Sequence, residues 1–150
     1  MKLKLVVSSD RYEEIKTALS ERGIEIDDNA DLVLSESNKY IDNLFVKDQL
    51  SNERVVLPVS DIVFIETFGH TVEVHTQNKT YQAFDRLYKI NNLLDPDKFL
   101  RISNSVVIGR DKVKQIAPTL SMKFILTMAN GRKVDVTRSY YYIFKEYFGI

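Results

Sequence analysis

The stretch FLRISNSVVIGRDKVKQI, residues 99–116, decides how this chain is to be read. Its apolar residues Phe99, Leu100, Ile102, Val106, Val107, Ile108, Val113 and Ile116 mark short strands. A polar island, Ser103-Asn104-Ser105, interrupts them, and Arg101, Arg110, Lys112 and Lys114 surround it. Packing alone gives no reason for three small polar side chains between two apolar runs. The island therefore reads as a loop rather than as a packing segment alone.

Working outward toward the C-terminus, MKFILTM puts Met122, Phe124, Leu126 and Met128 on one face, Asn130-Gly131 makes a turn, and RKVDVT returns as a hairpin. SYYYIFKEYF then predicts a short helix that buries Tyr140, Ile143, Phe144 and Tyr147. In the other direction, VVLPV, IVFIETF, TVEVHT and KTYQAF read as strands separated by Ser60-Asp61, Gly69-His70 and Gln77-Asn78. Val72, Val74 and Thr76 alternate with Glu73 and His75, which sends His75 outward. A helix follows with Phe84, Leu87, Tyr88 and Leu94 on its inner face, Asp85 at its start and Asp95-Pro96 as its stop.

Residues 1–44 read as a small β-α-β section. KLKLVV is a strand. SDRYEEIKTALSERG is a helix with Ser9 or Asp10 as cap, Tyr12, Ile15, Ala18 and Leu19 on one face, and Gly23 at its end. IEI and DLVLSES are extended segments on either side of an Asp27-Asp28-Asn29 turn. The section is too small to be a domain by itself and is expected to pack on the rest, on a partner or on a second copy. Residues 45–150 form the larger, mainly β part.

Charge separates the two parts. The 150 residues sum to zero, but residues 1–44 hold 6 Lys+Arg against 10 Asp+Glu, while residues 45–150 hold 15 against 11. Within residues 98–138 there are 9 basic and 2 acidic side chains, the excess expected of a phosphate-binding face. The absence of cysteine excludes disulfides and thiolate metal sites. No apolar run approaches the roughly 18 residues of a membrane span, and MKLKLVVSSDRYEE has too few apolar residues for a signal peptide, so a soluble, cytoplasmic protein is expected. The only histidines are His70 and His75, with no third ligand at metal spacing, and no nucleophile elbow, phosphate-cradling glycine loop or paired-carboxylate motif is present. Neither an enzymatic role nor a cofactor is expected.

FIETFGHTVEVHT, AFDRLYKINNLLDPDKFLRISNSVVIGRDKVKQI and MKFILTMANGRKVDVTRSYYYIFKEYF, in that order, resemble the LytTR family of DNA-binding domains. The likeness covers about residues 45–150. It rests on an F-x-E strand with its polar turn, a helix ending before F-x-R-x-x-x-S, and a last hairpin leading into V-x-R-x-Y. It implies an elongated stack of small antiparallel sheets with two short helices, whose loops rather than a recognition helix enter the major groove of double-stranded DNA. The contacts it implies map onto His70, Asn104 and Arg138.

Side-chain chemistry agrees with that mapping. Arg138 can fork onto guanine O6 and N7, Asn104 can pair with adenine or donate to phosphate, and His70 can donate to base N7 or phosphate. Ser105 and Arg101 suit phosphate positioning. Relatives often carry a basic residue in place of Asn104, asparagine in place of Gly109 and serine in place of Thr137, so a different sequence preference is expected here. Forty-four residues are too few for a receiver domain, and the chain resembles the stand-alone members, acting as a homodimer or as paired copies on repeated half-sites, with residues 1–44 serving dimerisation, signal input or a regulatory protein partner. The contrasting expectation is an adaptor of the same fold that binds protein instead of DNA.

Overall fold

Leu3 and Leu5 alternate with Lys2 and Lys4 in the first strand, β1 (Lys2–Val6), so that one face is buried and the other wet. The computed structural model describes residues 1–36 and 40–150. It divides the chain into two compact units, Met1–Lys39 and Tyr40–Ile150.

In the first unit β1 leads into helix α1 (Ser9–Ser20), whose Tyr12, Ile15, Ala18 and Leu19 are half-buried and whose other residues are exposed. Ser8 takes the N-cap position, so Ser9 and Asp10 lie inside the first turn rather than capping it. The Ser8 amide donates to Glu36 Oε1 at 2.6 Å instead. Gly23, at φ +77°, reverses the chain after the helix, and Ile24 N–H donates back to the Leu19 carbonyl. Strands β2 (Glu25–Ile26) and β3 (Val33–Ser35) both pair parallel with β1, in the order β2-β1-β3. Ser37, the end of the expected DLVLSES segment, lies outside the described residues.

The second unit begins ahead of the expected 44/45 break. Strand β4 (Asn43–Asp48) starts before it, and Ile41 N–H donates to the Leu93 carbonyl. With β5 (Arg54–Pro58), β6 (Phe64–Phe68), β7 (Thr71–His75) and β8 (Thr80–Ala83), helix α2 (Leu87–Leu93), and strands β9 (Phe99–Arg101) and β10 (Val106–Gly109), it builds a seven-stranded sheet in the order β5-β4-β8-β7-β6-β10-β9. Every pairing in that sheet is antiparallel. A second antiparallel sheet follows, β11 (Val113–Pro118), β12 (Phe124–Met128) and β13 (Lys133–Val136), and helix α3 (Tyr141–Phe148) closes the chain.

Two cores occupy the two faces of the large sheet. On one, α2 sets Leu87 and Ile90, with Leu94 beyond it, against Val46, Ile65, Val74 and Val107. On the other, Phe64, Val106 and Ile108 meet Phe124, Leu126, Met128, Val136 and Phe144 of the small sheet and α3. Neighbouring residues of β6 and β10 therefore enter opposite cores, and this is why IVFI and VVI run apolar without alternation. Gly109 ends β10 where a Cβ would come to 3.0 Å from the Ile62 carbonyl oxygen and from Lys112 Cγ, so close backbone approach accounts for glycine there.

Double-sided burial corrects several expectations. His75 is 2% exposed and stacks on Phe64 at 4.2 Å between ring centroids, because this end of β7 is covered on both faces. Phe84 and Tyr88 are each 52% exposed, since the Leu87-Ile90-Leu94 spacing fixes which side of α2 faces the sheet. Ile143 is likewise exposed. Tyr141 and Phe148 flank buried Phe144 in its place. Met122, at φ +58°, lies in a turn ahead of β12 rather than on its inner face.

Candidate nucleic-acid interface

Three chain segments meet around Asn104. The first is the β6–β7 hairpin, in which Gly69 takes φ +58° and lifts His70 into solvent at the tip. Thr67 braces the turn from below, its hydroxyl donating to the Thr71 carbonyl at 3.3 Å. Its amide donates to the Ser105 carbonyl at 2.8 Å, tying the hairpin to the second segment, residues 103–105.

That second segment is shaped by its own side chains. Ile102 is fully buried and its N–H donates to the Val106 carbonyl at 3.0 Å, which pins the loop's base. Ser103 is also buried, and its Oγ accepts the Ser105 amide at 3.1 Å. Arg101 reaches along the loop, Nε donating to the Ser103 carbonyl at 3.1 Å and Nη2 to the Asn104 carbonyl at 2.7 Å. Carbonyls that would otherwise face outward are thus satisfied from within. The exposed side chains of Asn104 and Ser105 are what the loop presents.

The third segment leaves β13. Thr137 N–H donates to the Ile102 carbonyl at 3.1 Å, and a 3-10 turn, Arg138–Tyr140, follows before α3. Arg138 is exposed and makes no side-chain hydrogen bond or ion pair among the described residues. Tyr140 Oη donates to Asn104 Oδ1 at 3.3 Å, orienting the amide so that Nδ2 remains a free donor. Arg138 is thereby held close in sequence to both anchors of the Asn104 loop, Thr137 and Tyr140.

His70, Asn104 and Arg101 line one cleft of about 360 Å³. Phe84, Asp85, Arg86 and Tyr88 also line it: the sequence placed Phe84 and Tyr88 on the inner face of the helix and Asp85 at its start, and gave Arg86 no role. Arg138 does not line that cleft; it stands two residues before Tyr140, whose hydroxyl reaches Asn104. Tyr140, expected to be core, is half-buried with its hydroxyl turned to the loop.

Two of the basic residues of 98–138 have neighbours within the protein. Arg110 lies over the Tyr147 ring at 5.2 Å, and Arg132 lies near a partly buried group built from Glu66, Glu73 and His75. His75 Nε2 stands 3.4 Å from Glu73 Oε2 and 3.7 Å from Glu66 Oε2, without a hydrogen bond, while Nδ1 meets Thr80 Oγ1 at 3.1 Å. Burial holds the His75 imidazole below its ordinary pKa, with Arg132 adding to that and Glu73 opposing it. Burial also raises the Glu66 carboxyl, against the pull of Arg132. Among the described residues no group of three or more His, Cys, Asp or Glu is arranged to hold a metal ion, and no helix is long and apolar enough to cross a membrane.

Residues 52–149 match the LytTr DNA-binding domain family. The chain is 28% identical over 112 residues to the sensory transduction protein LytT of Bacillus subtilis, covering 75% of this chain and 46% of that protein. It is 24% identical over 124 residues to the transcriptional regulatory protein LytR of Staphylococcus aureus, covering 83% and 50%. The chain thus spans about half the length of the curated relatives it matches. A solved LytTr DNA-binding domain from Bacillus cereus superposes with a TM-score of 0.68 at 24% identity, over 73% of this chain and 99% of that one, a likeness of fold.

Proposed function

From a chain that belongs to the LytTr DNA-binding domain family, we propose a transcriptional regulator that binds double-stranded DNA sequence-specifically. The loops around Asn104 enter the major groove. Arg138 forks onto a guanine, Asn104 Nδ2 donates to a base or phosphate, and His70 donates from the hairpin tip. Ser105 positions a phosphate, and Arg101 acts mainly by holding the loop carbonyls. The observation that supports this reading is the convergence of three segments on one loop, with His70 and Asn104 in a shared cleft and Arg138 between Thr137 and Tyr140, which both bond to residues 102–104.

One module of this size supplies limited specificity, so a homodimer or two copies on repeated half-sites would bind the operator. The Met1–Lys39 unit serves that pairing or receives a signal or protein partner. Its β3 edge exposes Val33 and Leu34, a surface suited to strand pairing. The protein acts in the cytoplasm, without a cofactor.

Fluorescence anisotropy of the intact protein with a mixed pool of duplexes, at about 50 and about 200 mM salt, tests the proposal. Binding that weakens steeply with salt, followed by enrichment of a preferred sequence from the pool, is the expected result. No binding at low salt by folded protein would favour the adaptor of the same fold instead.

A further inference from the structure

Arg86 belongs to none of the positions that the resemblance marks, yet it lines the same cleft as His70, Asn104 and Arg101. It occupies the N-cap of α2 with extended backbone, φ −72° and ψ 154°. Its carbonyl accepts the Lys89 and Ile90 amides, which fixes the backbone, while its exposed side chain has no hydrogen bond or ion pair among the described residues. Arg101 uses Nε and Nη2 on loop carbonyls and keeps Nη1 available. The cleft thus joins one uncommitted guanidinium and part of another to the polar edge that His70 and Asn104 supply. Asp85 is the one carboxylate in the lining, against the two arginines Arg86 and Arg101.

Resting on the DNA-binding reading above, we propose that the cleft seats a backbone phosphate of the bound duplex and that Arg86, which shares its lining with His70, is the principal anchor. Chemistry favours a phosphodiester over a base edge here. The lining is cationic on balance, with Arg86 and Arg101 against Asp85, and guanidinium groups favour phosphate oxygens. Arg86 would contribute affinity at every sequence, whereas Asn104 and Arg138 would contribute choice among sequences. Asp85, sharing the cleft, would reduce that affinity.

The experiment measures Kd of the intact protein for its selected duplex and for a scrambled one across a salt series. Arg86→Gln, which keeps the length of the side chain, is compared with the wild type and with Asp85→Asn. Loss of one phosphate contact should flatten the slope of log K against log salt by about 0.9 and weaken both duplexes alike, by roughly tenfold at about 0.1 M salt. Asp85→Asn should tighten both. An unchanged slope in Arg86→Gln, while the wild type binds, overturns the inference and leaves the DNA-binding reading standing. Weakening confined to the selected duplex overturns it as well, because Arg86 would then read a base. Sodium phosphate should displace DNA no better than sodium chloride of equal ionic strength; markedly better displacement would reassign the cleft to a free anion. Failure of the wild type to bind either duplex would be a failure of the parent reading, visible before any variant is made.

Discussion

His70 and His75 stand five residues apart in one hairpin and have opposite situations. His70 is exposed at the tip, on a turn that Gly69 opens, beside Asn104 and Arg101 in a cleft. His75 is buried, stacked on Phe64, and its Nε2 faces two carboxylates without a hydrogen bond. One end of the hairpin is built to meet solvent or a ligand, and the other joins the two sheets. There the Asn130 amide donates to the Thr76 carbonyl and Gln77 donates to the Ala129 carbonyl, binding the β12–β13 turn to the far end of β7. A histidine is informative only once its end of the strand is known.

The largest effect should come from the closed end. Phe64 is fully buried between His75 and the small sheet, so Phe64→Ala should cost about 3–5 kcal/mol of unfolding free energy in a urea titration. A loss below about 1 kcal/mol would mean that the second core does not hold the sheets together. At the open end, Arg138→Ala and Asn104→Ala should each cost about 1–3 kcal/mol of specific DNA binding with the urea midpoint unmoved. Normal affinity and selectivity in Arg138→Ala would remove it from the interface.

Acid should also test the closed end. His75 has a lowered pKa in the folded state, so its contribution to stability is complete above the unfolded value of 6.5 and is lost as pH falls from there through the folded value. Glu66 runs the other way: its folded pKa is raised, so its contribution is complete below 4.5 and is lost as pH rises through the folded value. His75→Phe keeps a ring against Phe64 and deletes only the first of these. The stability of the wild type relative to His75→Phe should therefore fall below pH 6.5, by at most about 1.4 kcal/mol per pH unit for one proton. Parallel pH profiles would show that His75 titrates alike in both states.

Much of this was legible in the sequence, and the exceptions share a cause. Strand positions, the Asn130-Gly131 turn and a loop at 103–105 that exposes Asn104 and Ser105 follow from local pattern and turn chemistry, which depend on neighbours in the chain. The face of each element is a different matter. Alternation in TVEVHT sends His75 outward only if β7 is covered on one side, and the small sheet covers it on the other. Phe84 and Tyr88 look like core residues until the 87-90-94 spacing claims the sheet for other side chains, and Phe84 and Arg86, ahead of the helix, line the cleft together with Tyr88 in its first turn. Arg101 carries charge in the sequence but is half-buried as a brace for two carbonyls, a role only the folded loop reveals.

The smallest expected effect is the sharpest probe of how the open end is held. Tyr140 donates to Asn104 Oδ1 from a half-exposed position, so losing the hydroxyl exposes no deeply buried group and Tyr140→Phe should leave the urea midpoint nearly unchanged. Without that bond the Asn104 amide is free to rotate and must be ordered on binding, which should weaken specific DNA affinity by about 0.5–1.5 kcal/mol. In the background of Asn104→Ala the same substitution should do nothing further, because it acts only through Asn104. Additive losses in the double variant would instead give the Tyr140 hydroxyl a DNA contact of its own and make the end of the 3-10 turn ahead of α3 part of the interface.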